Sequence, residues 1–146
     1  MTIEGEYVPS TSAWVREQVA AYEASGGTEA NTLRDTGIPV IVVTMRGRAT
    51  GSVRKIALMR VEHGGEYALV ASMGGAPTNP VWYHNLVAHA RCSLNGVPFT
   101  AAEVTDPGDY ERLFALAVRL YPGYADYRTR AAASGRRIPV LRLTPR

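Results

Sequence analysis

The spacing of apolar positions changes several times along the chain. Val15, Val19 and Tyr22 recur at i, i+4 and i+7, which is the spacing of one helical face. Ser12 stands where an N-cap belongs and Gly26-Gly27 where helices end, so the pattern predicts a helix over 13–24. Residues 28–37 carry no period and read as an irregular connection. From Ile38 the pattern becomes a continuous β-branched run, which predicts a strand over 38–45, a turn over 46–52 and a second strand over 53–61. His63-Gly64-Gly65 then turns the chain into a strand over 66–72, and together these read as a three-strand meander.

The second half alternates the two periods. After a glycine loop, Asn79 is placed to cap a helix reaching about residue 89, with Pro80 at its first position, where the missing N–H costs nothing. Asn95-Gly96 is the strongest hairpin signal, because both residues tolerate positive φ; it joins strands over 91–94 and 97–104. Asp106-Pro107 opens the longest helix, with Asp109 in its first turn and Tyr110, Leu113, Phe114, Ala117 and Leu120 as its apolar stripe. A short helix near 124–132 and a strand over 138–143 complete the chain. Six strands in mostly antiparallel order predict a mainly β (α+β) small barrel with flanking helices rather than a doubly wound sheet. At 146 residues the expectation is one domain over 1–146, with residues 1–30 forming an N-terminal helix and connection.

Composition narrows the chemistry by exclusion. Cys92 is the only cysteine, so neither an intramolecular disulfide nor a cysteine-based zinc cluster is expected. The formal net charge is +3, and Lys55 is the only lysine among the 16 basic residues. The arginines are scattered rather than gathered into a stripe, which argues against nucleic acid as partner. No apolar run approaches the length of a membrane span, and MTIEGEYVPS does not read as a secretory leader. The expected compartment is the cytoplasm, with a peripheral membrane position left open by the modest stripe of the first helix.

Three segments carry candidate chemistry. The turn Arg46-Gly-Arg48-Ala49-Thr50-Gly51 continues into Arg54-Lys55, gathering four cations suited to phosphate or carboxylate groups. The same residues also suit a solvated hairpin end, and the Walker spacing is absent. The second segment, Ser72-Met-Gly-Gly-Ala-Pro-Thr-Asn-Pro-Val-Trp82-Tyr-His-Asn85, ends a strand, loosens the backbone and opens a helix, which is an anion site in outline. It also reads as a plain capped helix with Trp82 in the core. The third, Tyr121-Pro-Gly-Tyr124-Ala-Asp-Tyr127, gathers three phenols that supply either hydroxyl donors or a core aromatic stripe. His84 and His89 are five apart and diverge on a helix, and His63 sits in a turn, so no metal site is expected. An anion-gripping, aromatic-walled site without a reactive centre of its own points to chemistry carried by a bound cofactor.

These segments resemble the deazaflavin-dependent nitroreductase family, the F420H2-dependent reductases of actinobacteria. The likeness runs through Tyr22-Glu-Ala-Ser-Gly-Gly, Asn31-Thr-Leu-Arg, Leu58-Met-Arg-Val-Glu-His-Gly-Gly, Ala71-Ser-Met-Gly-Gly-Ala-Pro, Asn79-Pro-Val-Trp-Tyr-His-Asn-Leu and Tyr121-Pro-Gly-Tyr-Ala-Asp-Tyr to Ile138-Pro-Val. It implies a split β-barrel related to flavin reductases and pyridoxamine oxidases, binding coenzyme F420 in a groove. It implies cofactor contacts at Arg48, Ala49, Thr50, Arg54, Lys55, Ile56, Ala57, Leu58 and Met59. Further contacts are implied at Val70, Ala71, Ser72 and Met73, and on the helix at Val81, Trp82, Tyr83, His84 and Asn85. Tyr121, Tyr124 and Tyr127 carry over as pocket residues, with Tyr124 also against the cofactor. Relatives commonly have lysine at Ala49 and Ser52, often at Thr78, and in some members at Met73. The missing cations predict a weaker hold on the anionic tail, with Lys55 and the arginines keeping the site. Ala131-Ala-Ala-Ser-Gly135 looks like an insertion beside the pocket wall.

The expected activity is hydride transfer from reduced F420 to an apolar electrophile: a quinone, an enone or lactone, or a nitroaromatic. Tyr124 is the first candidate donor to the oxygen gaining charge, with Tyr121, Tyr127 and Ser72 beside it. The alternatives are an FMN-dependent reductase or oxidase on the same barrel, and a non-catalytic deazaflavin carrier. A monomer and a homodimer are both compatible with the sequence.

Overall fold

The computed structural model describes residue 3, residues 5–32 and residues 37–146. Leu33 and Arg34 of the Asn31-Thr-Leu-Arg motif, with the rest of residues 33–36 in the connection expected over 28–37, lie outside the described residues. After helix α1 (Ala13–Ala24) come strands β1 (Val40–Arg46), β2 (Val53–Met59), β3 (Val61–His63) and β4 (Glu66–Val70). A short turn of helix over Met73–Gly75 leads to α2 (Val81–Ala88), β5 (Arg91–Leu94) and β6 (Val97–Glu103). Helices α3 (Pro107–Leu120) and α4 (Gly123–Ala133) and strand β7 (Val140–Pro145) follow.

The described strands form one seven-stranded antiparallel sheet in the order β2-β1-β5-β6-β7-β4-β3. This corrects the expected meander. The run predicted as one strand over 53–61 breaks at Arg60, whose N–H donates to the Pro39 carbonyl at 2.8 Å. Its first part pairs with β1 and its last part with β4, at opposite edges of the sheet. Apolar periodicity registers an extended chain and is blind to which neighbour that chain pairs with. Consecutive Cα atoms lie about 3.8 Å apart, so a one-residue link forces the two edges together at this point. The sheet therefore curls into a barrel that is joined at Arg60 and open beyond it, the split barrel expected from the resemblance.

The pleat sorts the side chains. Ile41, Val43 and Met45 of β1 enter the barrel core with Leu69, Leu86, Cys92, Phe99, Leu141 and Leu143, while Val42 packs outward against Val19 and Tyr22 of α1. A strand buried on both faces reads as an unbroken apolar run, which is why β1 was legible. The α3 stripe of Tyr110, Leu113, Phe114 and Ala117 joins Tyr124 and Ala131 of α4 over Val61, Ala68, Val70 and Val140. Helix α3 opens at Asp106-Pro107 as expected, and the Asp106 side chain caps it, accepting from the Asp109 N–H at 2.9 Å. Asn95-Gly96 makes its two-residue turn with φ of 50° and 81°.

Two expected caps differ. Ser12 stands at the N-cap of α1 without a side-chain capping bond, and Pro80, rather than Asn79, is the N-cap of α2. Boundaries also shift. β1 starts at Val40, β4 ends at Val70, β6 ends at Glu103, β7 runs to Pro145 and α4 begins at Gly123. No described helix is long and apolar enough to cross a membrane.

An ionic cluster ties β4, α3 and β7 together. Arg112 meets Glu66 at 2.9 Å and Asp109 at 3.3 Å, and Arg142 meets the same two carboxylates at 3.1 and 2.9 Å. Hydrogen bonding from Arg112 holds the Glu66 carboxyl below its ordinary range, and hydrogen bonding from Arg142 does the same for Asp109. A carboxylate with a lowered pKa stabilises the fold above its unfolded value, near 4, and loses that effect as pH falls through the folded value. The melting temperature is therefore expected to hold from pH 7 to about 5 and decline below about 4. Thermal melts of Glu66→Gln should show a shallower acid decline; an unaltered acid limb would exclude this cluster as its cause.

Candidate functional site

The barrel opens beside β2, which is an edge strand. Beyond Val53, its outer row of backbone N–H and C=O groups has no strand partner among the described residues. Two chambers lie along this edge and share Ile56 and Trp82 as a common wall. The smaller, about 160 Å³, is lined by Arg54, Lys55, Val81 and Asn85, with Met45 from the core and Ser10 and Val15 from the N-terminal segment and α1. The larger, about 270 Å³, is lined by Ala57, Leu58 and Met59 of β2, with Val40, Val70, Ser72, Met73, Pro80 and Tyr124 across from them. One groove thus runs from a cationic end to an apolar, aromatic-walled end.

At the cationic end, Lys55 Nζ meets Glu23 Oε1 of α1 at 2.6 Å and lies 4.8 Å from the centroid of the Tyr7 ring. The guanidinium groups of Arg48 and Arg54 have no side-chain or backbone partner among the described residues. Asn85 is buried, and its Oδ1 accepts the Arg48 N–H at 2.9 Å, so α2 pins the β1–β2 turn in place. Thr50 and Ser52, in that turn, hydrogen-bond to each other at 2.8 Å.

At the apolar end, the rings of Tyr121, Tyr124 and Tyr127 form a triangle with centroids 5.6, 5.9 and 6.2 Å apart. Only Tyr124 reaches the chamber wall; the Tyr121 and Tyr127 hydroxyls pair with each other at 3.2 Å. Burial pushes the Tyr124 phenol well above the ordinary tyrosine range, helped by the two neighbouring phenols. It therefore remains a neutral O–H donor throughout the neutral range. The Tyr127 phenol is raised too, chiefly by its own hydrogen bond with Tyr121. Gly123 makes the cluster possible, because a methyl there would stand 2.4 Å from the Tyr121 ring.

Other expected site residues stand elsewhere. Arg48, Ala49 and Thr50 occupy the exposed β1–β2 turn, outside both chambers. Ala71 is fully buried in the barrel core. Tyr83 points to β6, where its hydroxyl donates to Glu103 Oε1 at 2.5 Å and its pKa is pushed up to about 12 by burial and by that partner. His84 packs edge-on against the Tyr83 ring. No described group of histidine, cysteine or acidic residues is arranged to hold a metal ion. Burial also pushes the Cys92 thiol up to about 11, which leaves it unreactive.

Sequence reasoning missed the two arginines that hold the glycine loop between β4 and α2. Arg130 Nη1 donates to the Gly74 carbonyl at 2.7 Å. Arg136 donates to the carbonyls of Ala71, Ser72 and Ala76 and to Asn79 Oδ1. This is the actual work of Asn79, in place of the expected cap. The available signal was Arg136-Arg137 between the helix stop at Gly135 and a buried strand, a place where a solvated loop needs no such pair.

The family model for F420H(2)-dependent quinone reductase matches residues 14–145. The chain is 34% identical to an F420H(2)-dependent quinone reductase of Mycobacterium tuberculosis over 115 residues, covering 74% of each chain. A solved F420-H2 dependent reductase, FDR-A, superposes with a TM-score of 0.63 at 38% identity, covering 73% of this chain and 94% of the other. A second solved relative, described as a domain-swapped dimer, gives a TM-score of 0.67 at 37% identity over 92% and 100%.

The glycine loop lies directly on α4. A methyl on Gly75 would stand 2.7 Å from the Tyr127 carbonyl oxygen and 2.9 Å from Arg130 Cβ, in backbone at φ +81°. Gly75→Ala should therefore cost about 2–4 kcal/mol in urea unfolding, from overpacking and left-handed strain together. Gly74→Ala, which meets nothing within 4 Å at φ +64°, should cost only the strain, about 1–2 kcal/mol. Equal losses would mean that close approach to α4 does not require this glycine.

Proposed function

This chain belongs to the F420H(2)-dependent quinone reductase family, and on that premise we propose that its groove binds reduced coenzyme F420 and directs a hydride to a quinone. The observation that carries this reading is the polarity gradient along the groove: Arg54 and Lys55 at one end, and a flat apolar chamber walled by Trp82, Met59 and Tyr124 at the other. The donor set suits the cofactor, whose anionic tail calls for cations and whose planar ring calls for an apolar slot bordered by free backbone groups. When bound, reduced F420 supplies a two-electron hydride from a carbon of its deazaflavin ring.

The protein's own part is binding and orientation. Arg54 and Lys55 hold the tail, and the open edge of β2 offers backbone donors and acceptors to the ring. With ring and acceptor filling it, the mainly apolar chamber would shed water, which strengthens the hydrogen bonds inside it. Tyr124 presents a protonated hydroxyl to the acceptor oxygen as charge develops there, and Ser72 stands on the same chamber wall. Tyr121 and Tyr127 fix the Tyr124 ring from behind through edge-on contacts. The same chamber accommodates enones, lactones and nitroaromatics as further acceptors. All the residues named come from one chain, so this reading holds for a monomer and for a homodimer.

The test is an anaerobic reaction of purified protein with reduced F420 and a quinone, followed by the returning absorbance of the oxidised cofactor. Wild-type protein should accelerate it. Arg54→Ala should weaken cofactor affinity by roughly tenfold or more, since charge-assisted bonds are worth about 1.5–3 kcal/mol. Tyr124→Phe should lower kcat by roughly tenfold or more with little change in cofactor affinity. A wild-type rate no greater than the uncatalysed one would remove the reading.

Lys55 yields a prediction of opposite sign. Its ion pair with Glu23 competes with any incoming anion, and both side chains are partly exposed, at 20% and 36%. Freeing the lysine by Glu23→Gln should tighten F420 binding by up to about fivefold, the range of an exposed pair worth 0–1 kcal/mol. Fluorescence titration of the oxidised cofactor measures this, and weaker binding in the variant would show that Glu23 holds Lys55 in its working position.

A further inference from the structure

Arg136 lies outside both chambers, between α4 and β7, with its guanidinium partly buried. It donates through Nε to the Ala76 carbonyl at 2.7 Å, through Nη2 to the Ser72 carbonyl at 2.6 Å, and through Nη1 to the Ala71 carbonyl at 3.1 Å and to Asn79 Oδ1 at 2.5 Å. Those four acceptors span both ends of the segment between β4 and α2. A guanidinium carries five N–H donors in one plane, so a single side chain holds the loop closed at several points.

That segment needs holding. Met73, Gly74 and Gly75 have φ of 47°, 64° and 81°, three successive left-handed residues, and Met73 bears a side chain that disfavours this backbone. Inside the segment the closing backbone bonds are Gly75 N–H to the Ser72 carbonyl at 2.9 Å and Ala76 N–H to the Met73 carbonyl at 3.1 Å. Yet Ser72, Met73 and Pro80 form one wall of the apolar chamber. In a trans peptide the N–H points opposite to the C=O. With the Ala71 and Ser72 carbonyls turned to the guanidinium, the Ser72 and Met73 amides point away from it, and neither is bonded among the described residues.

We propose that Arg136 is a positioning residue. It sets the placement of Ser72 and Met73 in the apolar chamber, and through them the geometry in which hydride donor and acceptor meet, without touching either. The proposal rests on the groove reading given above. Arg54 and Lys55 stand in the other chamber on β2, so the hold on the tail is independent of Arg136. Its loss therefore separates orientation from affinity.

The test compares Arg136→Ala and Arg136→Lys with wild type. In cofactor-free protein, hydrogen exchange at the Gly75 and Ala76 amides should quicken roughly tenfold or more in the alanine variant and less in the lysine variant, which keeps one donor group. The Val43 amide in the barrel should stay unchanged. With reduced F420 and quinone, kcat should fall roughly 10–100-fold in Arg136→Ala while the dissociation constant of the oxidised cofactor moves less than about threefold. Added guanidinium should restore part of the lost rate. Unchanged exchange at Gly75 and Ala76 would overturn the proposal, as would a proportional loss of kcat and cofactor affinity. Equal loosening at Val43 in both variants would overturn it too, leaving Arg136 a brace for the whole fold. A wild-type protein inactive with F420 would instead remove the functional reading, and the exchange comparison would still decide what Arg136 holds.

Discussion

The architecture depends on the single residue, Arg60, between β2 and β3. These strands lie at the two edges of a seven-stranded sheet, and one residue cannot span a flat sheet of that width. The sheet has to curl until its edges meet. Because they meet only at Arg60, the β2 edge beyond Val53 has no strand partner among the described residues. An open edge normally invites another chain to pair with it. Here α1, α2 and the glycine loop flank it, and the gap becomes a groove with backbone donors and acceptors along one wall. The joint that closes the barrel and the groove beside it are two consequences of one constraint.

The groove's two ends are built by different physics. The cationic end is carried by side chains on one strand, two residues of which occupy adjacent positions on the pleat. That end relies on Arg54 and on one lysine already engaged by Glu23. The apolar end is assembled from distant segments: β2, β4, the glycine loop, α2 and α4. Its hydroxyl donor sits in a cluster of three phenols whose mutual packing and desolvation keep Tyr124 neutral. On the function proposed above, binding strength and reaction geometry rest on different parts of the chain.

Arginine does two separate jobs here, which the net charge of +3 conceals. The guanidinium groups of Arg48 and Arg54 have no partner among the described residues. Arg130 and Arg136 are spent on backbone carbonyls, and Arg112 and Arg142 on carboxylates. A loop of three left-handed residues has few hydrogen bonds of its own, and a planar five-donor group supplies the missing ones from outside.

Local physics wrote much of this protein into its sequence. The α3 stripe and its opening at Asp106-Pro107, the positive-φ turn at Asn95-Gly96 and the doubly buried run of β1 are short-range effects, and each formed where its pattern placed it. The segments 54–59, 70–73 and 81–85 were legible through the family resemblance, and most of their residues line the groove. What the sequence left open was pairing and direction. Nothing local to residues 53–61 says that one extended run serves both edges of a sheet, since that follows from the order of seven strands. Tyr83 and Ala71 belong to legible segments but face away from the groove, because side-chain direction there is set by the packing of α2 and β4 against the barrel. Asn79 and Arg136 lie 57 positions apart, and only the closed barrel brings that carboxamide and that guanidinium into contact. Short-range preferences chose the elements, and the curl of the sheet decided which residues became a site.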